Sequence, residues 1–189
     1  PRSTLFPYTT LFRSAVETFE AAYRVHGEGY DAKGEVVDAD GAALEKPTKA
    51  LRALGEVAAI CNDATFETQE QGRKVMGDPT EGALVVAAAR FDLWKPALET
   101  AFPRVAEIPF SSERRRMTTI HALGDHEPIP HLNGYLTGLQ NGDRFLVFTK
   151  GAVDSLLALS TRVWADGAAR PLTDEWRARI TAGHDLLAG

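Results

Sequence analysis

The spacing of apolar positions predicts a chain that opens with strands and continues into helices. Between residues 15 and 37, short apolar or aromatic runs flank the turn-rich stretch GEGYDAKGE, so we expect extended segments joined by tight turns. From Pro47 to Cys61, apolar residues recur at three- and four-residue steps, which is typical of an amphipathic helix that faces a core. The residues of this apolar stripe are Leu51, Leu54, Ala58 and Cys61.

A second helix is predicted from the start signals in GDPTEGALVVAAARF. Asp78 is expected to be the N-cap, and Pro79 occupies the first helical position. Glu81 stands three residues after the cap, where its side chain can close a capping box. The residues expected on the apolar face of this helix are Leu84, Ala88 and Phe91.

Three later segments, RVAEIPF, RMTTIHAL and RFLVFTK, are rich in β-branched and aromatic residues and predict strands of a largely antiparallel sheet. Residues 124–143 are expected to form an exposed excursion between two of these strands, with solvated rather than metal-bound histidines. Shorter helices are predicted at 94–101, at 151–160 and from Thr173 onward, with a turn at WADGAAR. The pattern as a whole indicates an α+β fold.

Composition narrows the possible functions of the 189-residue chain. With 44% hydrophobic and 25% charged residues it is typical of globular domains, and its net charge of −5 argues against a general nucleic-acid binder. No apolar run is long enough to span a membrane, and the single Cys61 cannot form an internal disulfide. Residues 1–14 lack acidic residues and amphipathic periodicity, so we expect a non-native or disordered extension before a domain at 15–189.

The stretch PFSSERRRM, residues 109–117, places an aromatic ring ahead of three consecutive arginines. A buried, unpaired guanidinium costs several kcal/mol, so these cations are expected to face water or an anion. A ring followed by cations suits a ligand that is flat at one end and anionic at the other, as a nucleotide is. The phosphate-loop patterns G-x-x-x-x-G-K-[ST] and G-x-G-x-x-G do not occur in the sequence.

Three stretches in this order resemble the nucleotide-binding domain of P-type ATPases: GDPTEGAL at 77–84, PFSSERRRM at 109–117 and FTKGAVD at 148–154. GEGYDAKGE and CNDA at 61–64 extend the resemblance over nearly all of the chain after residue 14. The similarity is greatest to the branch that moves calcium and related cations. It implies an antiparallel sheet of six or seven strands with helices packed on its faces.

The resemblance also implies roles for individual residues. Phe110 matches the ring on which adenine stacks, with a core Phe as the alternative. Lys150 would lie deep in the nucleotide pocket, with a strand-end lysine as the alternative, and Gly151 would let a ligand approach the backbone. Glu81 would lie near the adenine amino group, with the capping box as the alternative.

The remaining site residues follow from the same resemblance. Arg115 stands where the family commonly has lysine and would serve a phosphate. In a regular strand, alternation would direct Arg114 and Arg116 to the opposite face, as solvated charges. Met117 and Ala152 match positions in the pocket wall, with ordinary sheet packing as the alternative.

The activity implied is phosphoryl transfer from ATP, with Mg²⁺, to an aspartate in a separate phosphorylation domain. The aspartate motif DKTGT is absent, so we expect a cytoplasmic domain of an integral membrane pump, truncated at its C-terminus, that binds ATP or ADP without turnover. Its expected partners are the phosphorylation, actuator and transmembrane domains, and no nucleic acid. The alternatives are a degenerate structural module that binds no nucleotide and a stand-alone nucleotide-binding protein.

Overall fold

The computed structural model describes residues 14–18, 21–27, 33–69, 72–123, 145–165 and 168–188. Within these ranges the chain forms five helices and ten strands, and every strand pairing is antiparallel. The α+β class predicted from the sequence is therefore confirmed. The count of six or seven strands in one sheet is not confirmed, because the described strands form two three-stranded and two two-stranded sheets.

The first sheet contains β1 (Ser14–Glu17), β2 (Ala22–His26) and β3 (Glu35–Val37), paired in that order. This confirms the prediction that strands open the domain. The two inward-facing residues of β2 are buried and form a small core with β3 and the following helix; this core consists of Tyr23, Val25, Val36 and Leu51. Most of GEGYDAKGE, and residues 1–13 of the predicted extension, lie outside the described residues.

Helix α1 (Lys49–Ile60) begins after Thr48, whose hydroxyl accepts the Leu51 amide at 3.3 Å. The predicted apolar stripe is wrong at Leu54, which is 45% exposed. Gly55 faces the interior instead, because a Cβ there would lie only 2.8 Å from the Leu93 side chain. The buried positions of the helix are Leu51, Gly55, Glu56, Ala59 and Ile60.

The hairpin of β4 (Thr65–Gln69) and β5 (Gly72–Met76) leads into helix α2 (Pro79–Ala89). Asp78 is the N-cap, as predicted: its Oδ1 accepts the amides of Thr80 at 2.8 Å and Glu81 at 3.3 Å. Helix α3 (Lys95–Ala101) follows α2. The second core lies among these helices and the next sheet; it consists of Ala59, Ile60, Ala88, Leu93, Phe102 and Leu146.

The three predicted later strands are confirmed as β6 (Arg104–Ser111), β7 (Arg116–Ala122) and β8 (Phe145–Gly151). They pair in the order β6-β7-β8, with Ser111 opposite Arg116 and Met117 opposite Lys150. Alternate residues of β7 are buried, so one face of this sheet packs against the rest of the domain. The predicted excursion at 124–143, with His126 and His131, lies outside the described residues.

The chain continues through α4 (Val153–Leu159), β9 (Arg162–Ala165), β10 (Ala168–Pro171) and α5 (Asp174–Ala188). The stretch predicted as a turn, WADGAAR, contributes to both strands of the β9-β10 hairpin. Arg177 ties α5 to the end of α4 by donating to the carbonyls of Leu157 at 2.6 Å and Ser160 at 3.0 Å. Among the described residues, no helix combines the length and apolar character that crossing a membrane requires.

Candidate functional site

Phe110 lies next to the last residue of β6 and is 60% exposed. Strand β6 is at an edge of its sheet, and its pairing with β7 shifts register between Ile108 and Ser111. The alternative of a core Phe at a strand end is therefore wrong. The ring offers an apolar face to solvent, which is the condition for stacking a flat ligand on it.

Lys150 and Glu81 form an ion pair between β8 and the first turn of α2. Lys150 Nζ lies 2.6 Å from Glu81 Oε1, and both side chains are about four-fifths buried, with exposed fractions of 21% and 19%. The other oxygen, Glu81 Oε2, accepts the backbone amide of Asp63 at 2.9 Å. The carboxylate is thus directed to Lys150 and Asp63 rather than to the backbone of Asp78, so the predicted closure of a capping box is wrong.

The loop at 61–64, with the sequence CNDA, joins α1 to the first turn of α2 through the buried Asn62. Its side-chain amide donates to the carbonyl of Ala58 at 3.0 Å and to that of Glu81 at 2.9 Å. Its Oδ1 accepts the amide of Ala64 at 2.8 Å. These three contacts involve both the nitrogen and the oxygen of the amide group. Asn62 therefore fixes the backbone of Glu81 relative to this loop.

Lys95, at the start of α3, holds the same loop from inside the protein. Its ammonium donates to the carbonyls of Asn62 at 2.5 Å and Ala64 at 2.9 Å, and it lies 3.7 Å from Glu99. Burial lowers the pKa of Lys95 from its ordinary value, while the charges of nearby carboxylates, including Glu99, oppose that shift. A buried lysine is rare without partners, and here two backbone carbonyls and a carboxylate supply them.

Arg104 holds the loop from the start of β6. Its guanidinium donates to the carbonyls of Ile60 at 3.0 Å and Asn62 at 2.6 Å, and to the Asp63 carboxylate at 2.7 Å. Sequence reasoning missed both Arg104 and Lys95. The only feature of the sequence that pointed to this loop was the CNDA stretch, whose polar residues precede a strand but show no regular spacing.

Arg114 and Arg115 lie in a turn, and Arg116 is the first residue of β7. Arg115 is the last residue of the turn at 112–115, with φ of +50°, so the alternation expected for its neighbours does not apply. Arg115 is exposed and pairs with Asp154 at the start of α4. The hydrogen bond from Arg115 lowers the pKa of the Asp154 carboxyl from its ordinary value.

Arg114 and Arg116 are partly buried, so the expectation that they are solvated charges is wrong. The Nε of Arg114 donates to the Ser111 hydroxyl at 3.1 Å, and its guanidinium also reaches the Pro109 carbonyl. Arg116 donates to the Ser155 hydroxyl at 2.9 Å and to the Arg114 carbonyl at 3.2 Å. These contacts shape the turn that presents Arg115.

Gly151 is required by the approach of this turn. A Cβ at Gly151 would lie 2.4 Å from the Arg115 carbonyl oxygen and 2.6 Å from the Arg116 Cβ. Ala152, the N-cap of α4, donates its amide to the same Arg115 carbonyl at 2.9 Å. The sequence analysis expected a ligand to approach the backbone at Gly151. In the structure, Arg115 and Arg116 occupy that space.

Three neighbouring strands bring the sequence-predicted residues together. Met117 on β7 pairs with Lys150 on β8, and Phe110 precedes the β6 residue that pairs with Arg116. At about 4.8 Å between strands, Phe110 and Lys150 lie on strands about 10 Å apart. Met117 between them is only 1% exposed, so its side chain packs in the interior, as the sheet-packing alternative expects.

Arg115 and Ala152 lie beside α4 and α5. With Asp154 and Arg177 they contribute to the lining of an open cavity of about 630 Å³. Within the described ranges, no three His, Cys, Asp or Glu side chains come close enough to hold a metal ion.

Comparison with known proteins gives the same family as the motifs. Residues 50–189 match the family described as "P-type ATPase, cytoplasmic domain N". The chain is 36% identical over 166 residues to "Probable cation-transporting ATPase F" of Mycobacterium tuberculosis, covering 87% of this chain and 16% of that protein. It is 31% identical over 161 residues to "Calcium-transporting ATPase" of Bacillus subtilis, covering 85% of this chain and again 16% of the relative.

A third relative, "Calcium-transporting ATPase 1" of Bacillus cereus, is 33% identical over 123 residues, which cover 65% of this chain and 11% of that protein. The chain thus spans less than a fifth of the length of each of these relatives. The ordered motifs, the α+β fold and a match over residues 50–189 agree, and the chain belongs to the family of P-type ATPase cytoplasmic N domains.

Proposed function

We propose that this domain binds ATP or ADP, with the adenine stacked on Phe110 and the Lys150-Glu81 pair beside it. The observation that carries the proposal is the 60% exposure of Phe110 on a strand about 10 Å from that of Lys150. The exposed ring on β6 and the partly buried ion pair at β8 are proposed to act on the same base: the ring stacks on adenine, and the Glu81 carboxylate accepts its amino group. Gly151, Ala152 and Met117 are proposed to support this site through the backbone and the sheet rather than by side-chain chemistry.

The phosphate end of the nucleotide is proposed to meet Arg115. Its present partner, Asp154, is more than half exposed, as is Arg115 itself. Exposed ion pairs are weak because solvent screens them, so exchanging the carboxylate for a phosphate would cost little. Arginine also offers a planar pair of donors that suits phosphate oxygens. Mg²⁺ is proposed to arrive bound to the nucleotide phosphates, where it neutralises charge.

The names of the relatives support a proposal for the intact protein, a cation-transporting P-type ATPase with calcium as the proposed ion. There the domain would present the γ-phosphate to an aspartate of a separate phosphorylation domain. The aspartate oxygen would form a bond to the γ-phosphorus as the bond to ADP breaks. The contribution of this chain is to hold and orient ATP, and its partners are the phosphorylation, actuator and transmembrane domains.

Nucleotide titration tests the binding proposal directly. We expect ATP and ADP to give saturable heats in calorimetry and to shift the backbone amide resonances near Phe110 and Lys150. If saturating nucleotide leaves these resonances unchanged, the proposal fails and the alternative of a structural module without a ligand is correct.

A hydrolysis assay tests whether the catalytic nucleophile lies in another domain. We expect neither ATP turnover nor acid-stable phosphorylation of the chain, because DKTGT is absent from its sequence. Sustained turnover that survives repurification and disappears on mutation of this chain would contradict the proposal that the nucleophile lies in another domain.

A further inference from the structure

We infer that Lys95 is a positioning residue of this site: by holding the carbonyls on both sides of Asp63, it fixes the backbone amide that orients the Glu81 carboxylate. The inference rests on the proposed function, in which Glu81 recognises the adenine amino group. Lys95 is buried and cannot itself touch a nucleotide at the surface. Any effect that it has on adenine recognition must therefore act through other residues, of which Glu81 is the one proposed to recognise the base.

One peptide unit connects Lys95 to Glu81. The Asn62 carbonyl and the Asp63 amide belong to the same planar group, and no described peptide bond is cis. In a trans peptide the C=O and N–H point in opposite directions. Lys95 Nζ lies 2.5 Å from the oxygen at one end of this unit, and Glu81 Oε2 lies 2.9 Å from the nitrogen at the other.

The second contact of Lys95 removes the remaining freedom of this unit. Its ammonium also binds the Ala64 carbonyl at 2.9 Å, so the same charge contacts the residues before and after Asp63. The peptide cannot rotate about its neighbouring bonds without breaking one of these hydrogen bonds. The direction of the Asp63 amide, and with it the position of Glu81 Oε2, is thereby set.

Electrostatics reinforces this geometry. A cation at the carbonyl end of a peptide polarises its N–H, which becomes a stronger donor to the carboxylate at the other end. The Glu81 charge in turn raises the pKa of Lys95, against the larger effect of burial that lowers it. Arg104 also binds the Asn62 carbonyl, but it binds the Asp63 carboxylate as well. A substitution of Lys95 leaves that carboxylate contact in place and is therefore easier to interpret.

The experiment compares ATP with inosine triphosphate, which lacks the 6-amino group, on the full 189-residue chain. Lys95→Met is expected to reduce the preference for ATP by about threefold or more, the scale of coupling between residues in one hydrogen-bond network. The matched control is Glu99→Gln, which neutralises the carboxylate 3.7 Å from Lys95 and leaves its bonds to the carbonyls; the ATP preference should be unchanged.

A double-mutant cycle distinguishes positioning from mere stabilisation. If Lys95 acts through Glu81, Lys95→Met should have no further effect on the ATP preference in a Glu81→Gln background. A purely structural lysine would weaken binding of both nucleotides equally in both backgrounds. That result overturns the inference.

A measurement without nucleotide separates this inference from the proposed function. In the parent chain, Glu81→Gln should shift the Asp63 amide proton in NMR spectra, and this shift should shrink in the Lys95→Met background. If the parent binds neither nucleotide, the proposed function fails while the amide response still tests the positioning of Glu81. If Lys95→Met does not fold, Lys95→Gln, whose NH2 group has two donors but no charge, is assessed in the same way. An unchanged amide response in a folded variant contradicts the inference.

Discussion

Lys150 Nζ lies 2.6 Å from Glu81 Oε1, although the two residues are 69 positions apart in the sequence. The pair connects β8 to the first turn of α2, and the Asp63 amide holds the second carboxylate oxygen. The two residues proposed to lie beside adenine are thus already partners in the described structure. A nucleotide would join an ordered pair rather than order two separate side chains, which reduces the entropic cost of binding.

Glu81→Gln should lower both stability and adenine preference. Local sequence reasoning expects little change in stability, because glutamine can close a capping box. The ion pair changes that expectation: loss of a partly buried charged partner of Lys150 should cost about 1–3 kcal/mol, between the values for exposed and buried pairs. Urea denaturation measures the first effect, and the ratio of ATP to inosine triphosphate affinity measures the second. An unchanged ratio would exclude Glu81 from adenine recognition.

Phe110→Ala should weaken ATP binding by about tenfold or more, since stacking of a base contributes ~1–3 kcal/mol. The melting temperature should change little, because the ring is mostly exposed. Phe145→Ala is the matched control: Phe145 is a similarly exposed ring, at 55%, on β8 of the same sheet. Equal losses of affinity in the two variants would contradict a specific stacking role for Phe110.

Asp78→Ala should destabilise the domain by ~0.5–2 kcal/mol, because two amides at the start of α2 lose their acceptor. Nucleotide affinity should fall only as far as the folded fraction does. Thr48→Ala removes the corresponding cap of α1 and should cost a similar amount. A loss of affinity in fully folded Asp78→Ala that Thr48→Ala does not share would show that Asp78 has a binding role.

His121 should make stability depend on pH. It is buried on β7, where Nδ1–H donates to the Phe102 carbonyl at 2.9 Å and Nε2 lies 2.8 Å from the Thr119 hydroxyl. Burial lowers the pKa of His121 from 6.5. As the pH falls below about 6.5, the unfolded chain binds a proton at this histidine more readily than the folded chain does. The contribution of His121 to the free energy of unfolding is therefore fully present above this pH and declines below it.

The decline due to His121 should approach at most about 1.4 kcal/mol per pH unit. His121→Gln should remove this component, leaving the contribution of the carboxylates. Urea denaturation between pH 7.5 and pH 5 measures the difference from the parent, with the exposed His184→Gln as the control. Parallel pH profiles for parent and His121→Gln would contradict the prediction.

Several elements could be predicted from the sequence because their causes are local. Asp78 and Pro79 start α2 through contacts within one helical turn, and the three strands of the β6-β7-β8 sheet follow from runs of β-branched and aromatic residues. The predicted apolar stripe of α1 was wrong at Leu54, because periodicity alone does not show which helix position a neighbouring side chain such as Leu93 will contact.

The sequence by itself determined the α+β class, the order of the motifs and hence the family, because each depends on residues that are neighbours in the chain. Only the tertiary structure decided that the Glu81 carboxylate binds Lys150 and Asp63 rather than its own helix. The same holds for Lys95, which a local pattern would assign to a solvated helix start. Its partners are the carbonyls of a loop more than thirty positions earlier. Packing brought these groups out of water, and once buried each polar group had to find a partner wherever the fold placed one.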